Sequence, residues 1–291
     1  MGTSCILHIY ATRHRGSKIA QYAISEVLRI EARYSRYRTD SVLSKMNCVA
    51  EQGTSIEVDE ETSALLDYAY SCYQKSDKMF DISSGILRKA WDFSSTCLPS
   101  NEIIDQLLPF VGLEKIIWKA PKLIFTLPGM ELDFGGICKE YAADRVASVC
   151  KDQGINHGLV DLGGDIHVIG PNPNGEPWRI EIRHPRIPET SIATINVERG
   201  SLATSGDYER YIDRDGRRYC HIINPFTGWP VRGLSSVSVI AEQCLVAGSV
   251  STIAMLKENN GVQWLLDIGL PHLWMDEEGR SGSELPSLVS F

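Results

Sequence analysis

Helical and strand patterns are segregated along this chain rather than alternating, and that constrains its fold more than any other feature. From Lys18 to Glu31, the residues Ile19, Tyr22, Ala23, Val27 and Ile30 fall on one helical face. Glu60 to Lys78 predicts a second helix and Asn101 to Leu108 a short third. The clearest helix is Cys138 to Asp152: Ala142, Ala143, Val146, Val149 and Cys150 share a face, and Gly154 supplies a stop. Beyond it the pattern turns to short strands, His157 to Leu162, Ile166 to Gly170, Trp178 to Arg183 and Ser191 to Val197, with Gly, Pro and Asn between them. Val237 to Ala241 continues them before a helix from Glu242 to Lys257. Ser4 to Thr12 has strand composition, and Leu113 to Trp118 with Lys122 to Leu127 predicts a hairpin around Ala120-Pro121. Early helices and clustered later strands, without βαβ repetition, argue for an α+β fold and against a doubly wound sheet. The expected division is a helix-rich α+β part at residues 1–130 and a strand-rich part at 131–291.

Composition narrows the function classes. At 291 residues the chain can bury a large core without disulfides or a structural metal. Its formal charge of −8 gives no general attraction to phosphate backbones or anionic lipid, so nucleic acid is not an expected partner. The longest apolar-leaning run, Leu234 to Leu256, carries Glu242, Gln243 and many serines, so no membrane insertion is expected. Eight scattered cysteines without a CxxC pair read as reduced thiols. The histidines form no zinc-binding pair. The N-terminus lacks the layout of a signal peptide, and position 6 is Ile where a myristoylation start has Ser or Thr. The expectation is a cytoplasmic protein.

Three clusters of small and acidic residues could carry chemistry. Asp133-Phe134-Gly135-Gly136 runs straight into the clearest helix, where backbone N–H groups and the helix N-terminus suit an anion. The plain alternative is a strand-to-helix turn, and the spacing is not that of a dinucleotide fingerprint. Asp161-Leu162-Gly163-Gly164-Asp165 reads equally as a β-turn with exposed acids. The third cluster runs Thr204-Ser205-Gly206-Asp207, then His221-Ile222-Ile223-Asn224-Pro225. It offers a histidine able to act as a base near neutrality, or a structural one.

Taken together and in order, these segments resemble the ApbE-type family of FAD:protein FMN transferases. The resemblance runs from Met1-Gly2-Thr3 to about Leu266. It includes Ser35-Arg36-Tyr37 with Ser41 and Asn47, Phe80-Asp81-Ile82-Ser83 leading to Trp91 and Phe93, and the segments LDFGGICKEYAAD (132–144), LVDLGGDI (159–166), ATSGDYER (203–210) and HIINPFTG (221–228). It implies FAD bound between two parts of an α+β fold, with Mg²⁺ on the pyrophosphate. It also implies a reaction: a threonine hydroxyl of a partner flavoprotein attacks the FMN phosphorus, AMP leaves, and FMN remains as a phosphoester. By motif match, Met1, Tyr37, Met79, Phe80, Asp81, Asp133, Lys139 and Ile222 line the FAD pocket, with Ser205 and Gly206 nearby. Lys139 is also a suitable cation for the pyrophosphate, and His221 is the catalytic base or a phosphate contact.

The chain departs from the family pattern at two places. Near the C-terminal helix the family has an aspartate and a threonine, four apart on one helical face. Both would ligate Mg²⁺ together with the Gly136 carbonyl. Here Thr252 is kept, but Gly248 stands where the carboxylate belongs, which implies a weakened or lost Mg²⁺ site. The second departure is Glu140, where the family usually has glycine. It puts another negative charge near the phosphates or points it to solvent. Two readings follow: an active transferase with a substitute ligand, or a degenerate FAD-binding carrier or regulator without metal-dependent transfer. FAD hydrolysis by water is a third and weaker option.

Overall fold

The structure, a computed structural model, describes residues 2–291, so the expectation for Met1 lies outside the described residues. The chain enters as β1 (Cys5–Ile9), followed by α1 (Arg13–Tyr34) and α2 (Val42–Gln52). Next come β2 (Ser55–Glu57), α3 (Glu60–Lys75), a 3-10 segment at Ile82–Lys89, α4 (Asn101–Leu107), β3 (Ile116–Lys119) and β4 (Lys122–Phe125). Then α5 (Cys138–Asp152) leads into β5 (Gly158–Leu162), β6 (Asp165–Gly170), β7 (Trp178–Arg183), β8 (Ser191–Val197) and β9 (Gly200–Gly206). The remainder is β10 (Tyr211–Arg214), β11 (Arg217–Cys220), β12 (Leu234–Ala241), α6 (Cys244–Leu256), α7 (Gly261–Ile268), β13 (His272–Asp276) and β14 (Ser281–Ser283).

This is an α+β architecture. Its centre is a seven-stranded sheet in the order β1-β5-β6-β9-β12-β13-β14, antiparallel throughout. Strand alternation sends successive side chains to opposite faces, and here both faces are covered. Val160, Ile169, Ala203, Val237 and Val239 join a large core with α1, α5 and α6. Their neighbours Leu159, Val168, Leu202 and Ile240 join a second core with Ile180, Ile182, Ile195 and Val197 of the β7–β8 hairpin. A small sheet in the order β2-β4-β3 sits with α2 and α3, and Leu43, Met46, Leu66 and Phe125 extend the large core into it.

Local chemistry accounts for the key elements. α5 buries Ala142, Ala143, Val146, Ala147 and Cys150, small enough to bring its axis close to the sheet. Its N-terminal half also buries Glu140, which amphipathic patterning would place outside. α2 is absent from the sequence expectation because its centre reads as polar. It is fixed by its ends: the Ser41 hydroxyl accepts from Ser44 N, and Gly53 closes it at φ 65°. At 113–118 a 3-10 turn over Leu113–Lys115 replaces the start of the expected strand.

Candidate active site

The double-glycine turn before α5 is anchored on both sides. Asn47 bonds the Leu132 backbone twice, its Nδ2 donating to Leu132 O at 3.0 Å and its Oδ1 accepting from Leu132 N at 2.8 Å. Asp133 pairs with the Arg36 guanidinium and accepts from Gly135 N at 2.9 Å. Burial opposes the charge on Arg36, but the neighbouring Asp133 outweighs it and raises its pKa. Two glycines permit this closeness: a Cβ on Gly85 would stand 2.7 Å from the Asp133 Cβ, and one on Gly136 would stand 3.2 Å from the Phe80 ring. Tyr37 is exposed, with the Arg36 guanidinium 5.2 Å from its ring centre, and a hydrogen bond from Arg36 lowers its phenol pKa.

The Phe80-Asp81 segment is tied down by side-chain hydrogen bonds. The Asp81 carboxylate is buried and accepts from Ser83 N (2.7 Å), Ser83 Oγ (2.6 Å) and Leu113 N (3.0 Å). Burial raises its pKa against the opposing pull of those donors. With its oxygens so committed, Asp81 fixes the loop that carries the half-buried Met79 and the buried Phe80.

The first turn of α5 holds the densest charge. Lys139 Nζ lies 2.6 Å from Oδ2 of Asp165, a carboxylate only 2% exposed. Burial works against the lysine charge, yet Asp165 and then Glu140 raise its pKa. Glu140 is 7% exposed, and its Oε2 has no hydrogen-bond partner. Burial first and the Asp165 carboxylate second raise the pKa of Glu140. The expected placement of Glu140 toward solvent does not hold, because the side chain is buried. Its side chain lies over Gly248 of α6, so that a Cβ at 248 would meet Glu140 Cγ at 2.4 Å and its carboxyl carbon at 3.0 Å. One turn further along α6, Ser205 Oγ of β9 bonds Thr252 Oγ1 at 2.9 Å and Ser251 Oγ at 2.8 Å. Ser251 Oγ in turn donates to Gly248 O at 2.9 Å.

His221 and its neighbours close the other side. The Tyr208 ring lies against Gly206, where a Cβ would come within 2.3 Å of it. Ile222 is buried, and its carbonyl accepts from Val231 N at 3.0 Å. His221 Nδ1 is 3.3 Å from Arg210 O. A carbonyl only accepts, so this contact puts the neutral ring's proton on Nδ1 and leaves the Nε2 lone pair free. The ring reaches solvent, but surrounding protein still desolvates it and lowers its pKa, helped by the charges of Arg210 and Lys139.

The structure thus brings together Arg36, Tyr37, Phe80, Asp133 and Gly136 at the turn before α5, and Lys139, Asp165, Ser205 and Thr252 between α5, β6, β9 and α6. Among the described residues, no three His, Cys, Asp or Glu side chains gather as a metal site. The oxygen donors there are carboxylates, hydroxyls and carbonyls. Sequence reading gives no role to Arg36 and makes Asp165 an exposed acid of a β-turn, whereas Asp165 is buried and paired with Lys139. Their value comes from partners far along the chain, which no local pattern reports.

An α+β protein with a double-glycine turn at a helix N-terminus, beside a buried Lys139–Asp165 pair, is the class that this fold and site define. Residues 1–273 match the ApbE family. The FAD:protein FMN transferase of Vibrio cholerae serotype O1 is 32% identical over 275 residues, covering 90% of this chain and 81% of that protein. The Haemophilus influenzae protein of the same name is 30% identical, covering 77% of this chain and 68% of its own. Among solved structures, the ApbE protein of Thermotoga maritima superposes with a TM-score of 0.89 at 32% identity, covering 97% of this chain and 94% of that one. The flavin transferase ApbE of Vibrio cholerae gives 0.83 at 27% identity, covering 99% and 95%. The chain belongs to the ApbE family.

Proposed function

We infer that this protein is an FAD:protein FMN transferase, which attaches FMN through a phosphoester to a threonine of a partner flavoprotein and releases AMP. The observation that carries the reading is family membership over nearly the whole chain, joined to a site whose cationic, hydroxyl and imidazole groups suit phosphoryl transfer. FAD is read as lying between the helix-rich residues 1–130 and the strand-rich 131–291, against Tyr37, Met79, Phe80, Asp133 and Ile222. Asp81 would contribute by fixing Phe80. Lys139, with Ser205 and Gly206 close by, would face the pyrophosphate.

In the reaction the threonine oxygen forms a bond to the FMN phosphorus and the bond from that phosphorus to the AMP oxygen breaks. The threonine proton passes to Nε2 of His221, the ring nitrogen left free by the Arg210 carbonyl. Lys139 offsets charge on the phosphate oxygens before and during transfer. Mg²⁺ suits the hard oxygen donors here, an orphaned buried carboxylate oxygen among them, and when bound would neutralise pyrophosphate charge. Thr252 Oγ1 and the Gly136 carbonyl are the proposed ligands beside that carboxylate.

Among the described residues, no helix is long and apolar enough to cross a membrane. All eight cysteines are free, which fits a reducing, cytoplasmic setting. The test is to incubate the protein with FAD, Mg²⁺ and a threonine-bearing acceptor. A fluorescent flavin band on the acceptor after denaturing electrophoresis is the expected result. Its absence, with an acceptor that a known family transferase modifies, would refute the assignment.

A further inference from the structure

We propose that Glu140 of α5 supplies the metal-binding carboxylate that α6 lacks at Gly248, so the charge has moved between helices rather than disappeared. Three observations converge on it. The Glu140 carboxyl carbon and Oε1 lie 3.0 and 3.1 Å from the point a Cβ at 248 would occupy. An aspartate there would carry its carboxyl group one C–C bond beyond that point, so the two carboxyl groups compete for one place. Next, the buried Glu140 Oε2 takes no donor from the protein and faces the Asp165 carboxylate, two acids that only a shared proton or a cation can reconcile. Finally, the same turn of α6 leads to Thr252, whose hydroxyl is gathered with those of Ser205 and Ser251. Glycine at 248 and glutamate at 140 are therefore one feature: the missing Cβ makes the space that the longer side chain fills.

Packing alone would also place a glutamic acid over a glycine, so the test must separate filling from ligation. Glu140→Gln keeps shape and volume but removes the anionic ligand. Glu140→Gly with Gly248→Asp moves the carboxylate back to α6. Gly248→Asp alone should fail to gain a site, because its Cβ would meet Glu140 Cγ at 2.4 Å. The inference rests on the transferase reading, so the readout is binding: calorimetric FAD affinity with and without Mg²⁺, and Mn²⁺ retention by electron paramagnetic resonance, on variants whose unfolding shows an intact fold.

The expected result is that Mg²⁺ tightens FAD binding by the native protein and that Glu140→Gln removes about tenfold or more of that response. It should keep the metal-free FAD affinity, and the double variant should recover the response. An undiminished Mg²⁺ response in Glu140→Gln would overturn the role of Glu140 and leave the transferase reading intact. So would a native protein that binds FAD without responding to Mg²⁺ or holding Mn²⁺. A native protein that binds no FAD would remove the transferase reading itself, and this inference with it.

Discussion

His221 is the side chain whose removal should separate chemistry from binding. Nothing in its surroundings makes it a pillar of the fold: its ring reaches solvent and makes one long contact to the Arg210 carbonyl. His221→Ala should therefore lower transfer by about 100-fold or more while FAD affinity and unfolding temperature change little. Near-normal transfer would return the residue to a structural role. The pH dependence follows from the sign of its shift. Its pKa lies below the usual 6.5, so the ring is already neutral at pH 7 and becomes a charged, incompetent base only as pH falls through that lowered value. Transfer rates for the native protein should then be flat near neutrality and fall on the acid side with an inflection below 6.5, a step that His221→Ala lacks. The sequence offers the residue as a candidate base or a structural histidine, from its place before an apolar pair and an Asn-Pro turn, and the family resemblance favours the former. Its tautomer is not legible there, because the carbonyl that sets it comes from the strand-side segment at Arg210.

At the scale of elements, the site depends on how α5 lies against α6. Asp144 accepts from Cys244 N at 2.8 Å and Leu245 N at 2.9 Å, capping α6 from a neighbouring helix, and its Oδ1 also meets His167 Nδ1 at 2.7 Å. One turn earlier on α5, Glu140 covers Gly248, which is one turn later on α6. The two contacts together make the helices antiparallel here and fix their register, so the cap also aims the carboxylate. Asp144→Ala should cost about 1–2 kcal/mol, the ordinary worth of an N-cap, read by chemical denaturation. It should also blunt any Mg²⁺ response of FAD binding. A loss of stability within a few tenths of a kcal/mol would mean that α6 finds its place without the cap. The sequence shows α5 with its observed ends and shows that position 248 lacks a carboxylate. It does not show that Glu140 reaches that position, since burial of an acid on a helix is the opposite of what amphipathic patterning predicts. The substitution is a tertiary fact.

For the whole molecule, the central sheet separates the chemistry from a second, unrelated core. Burial on both faces explains what the sequence conceals. All eight residues of β12 are buried, yet Ser235 and Ser236 make its first half read as polar, so periodicity recovers only Val237 to Ala241. Two of the serines of β12 are tolerated because they are bonded: Ser235 Oγ donates to Asp276 O at 2.7 Å, and Ser238 Oγ meets Thr204 Oγ1 at 2.8 Å. β9 is hidden for the same reason, and its Ser205 faces the site. The opposite face is closed by the β7–β8 hairpin, whose Ile180, Ile182, Ile195 and Val197 pack on Val168, Leu202 and Ile240. That layer contributes no residue to the site, so it should bear on stability alone. Ile182 is 3% exposed, and Ile182→Ala should cost about 2–4 kcal/mol through lost burial and the cavity left behind. FAD affinity and transfer by the folded protein, measured well below the unfolding transition, should match the native values. If the variant lost FAD affinity while still folded, the sheet would be transmitting strain between its faces. The hairpin would then belong to the functional unit rather than only covering the sheet.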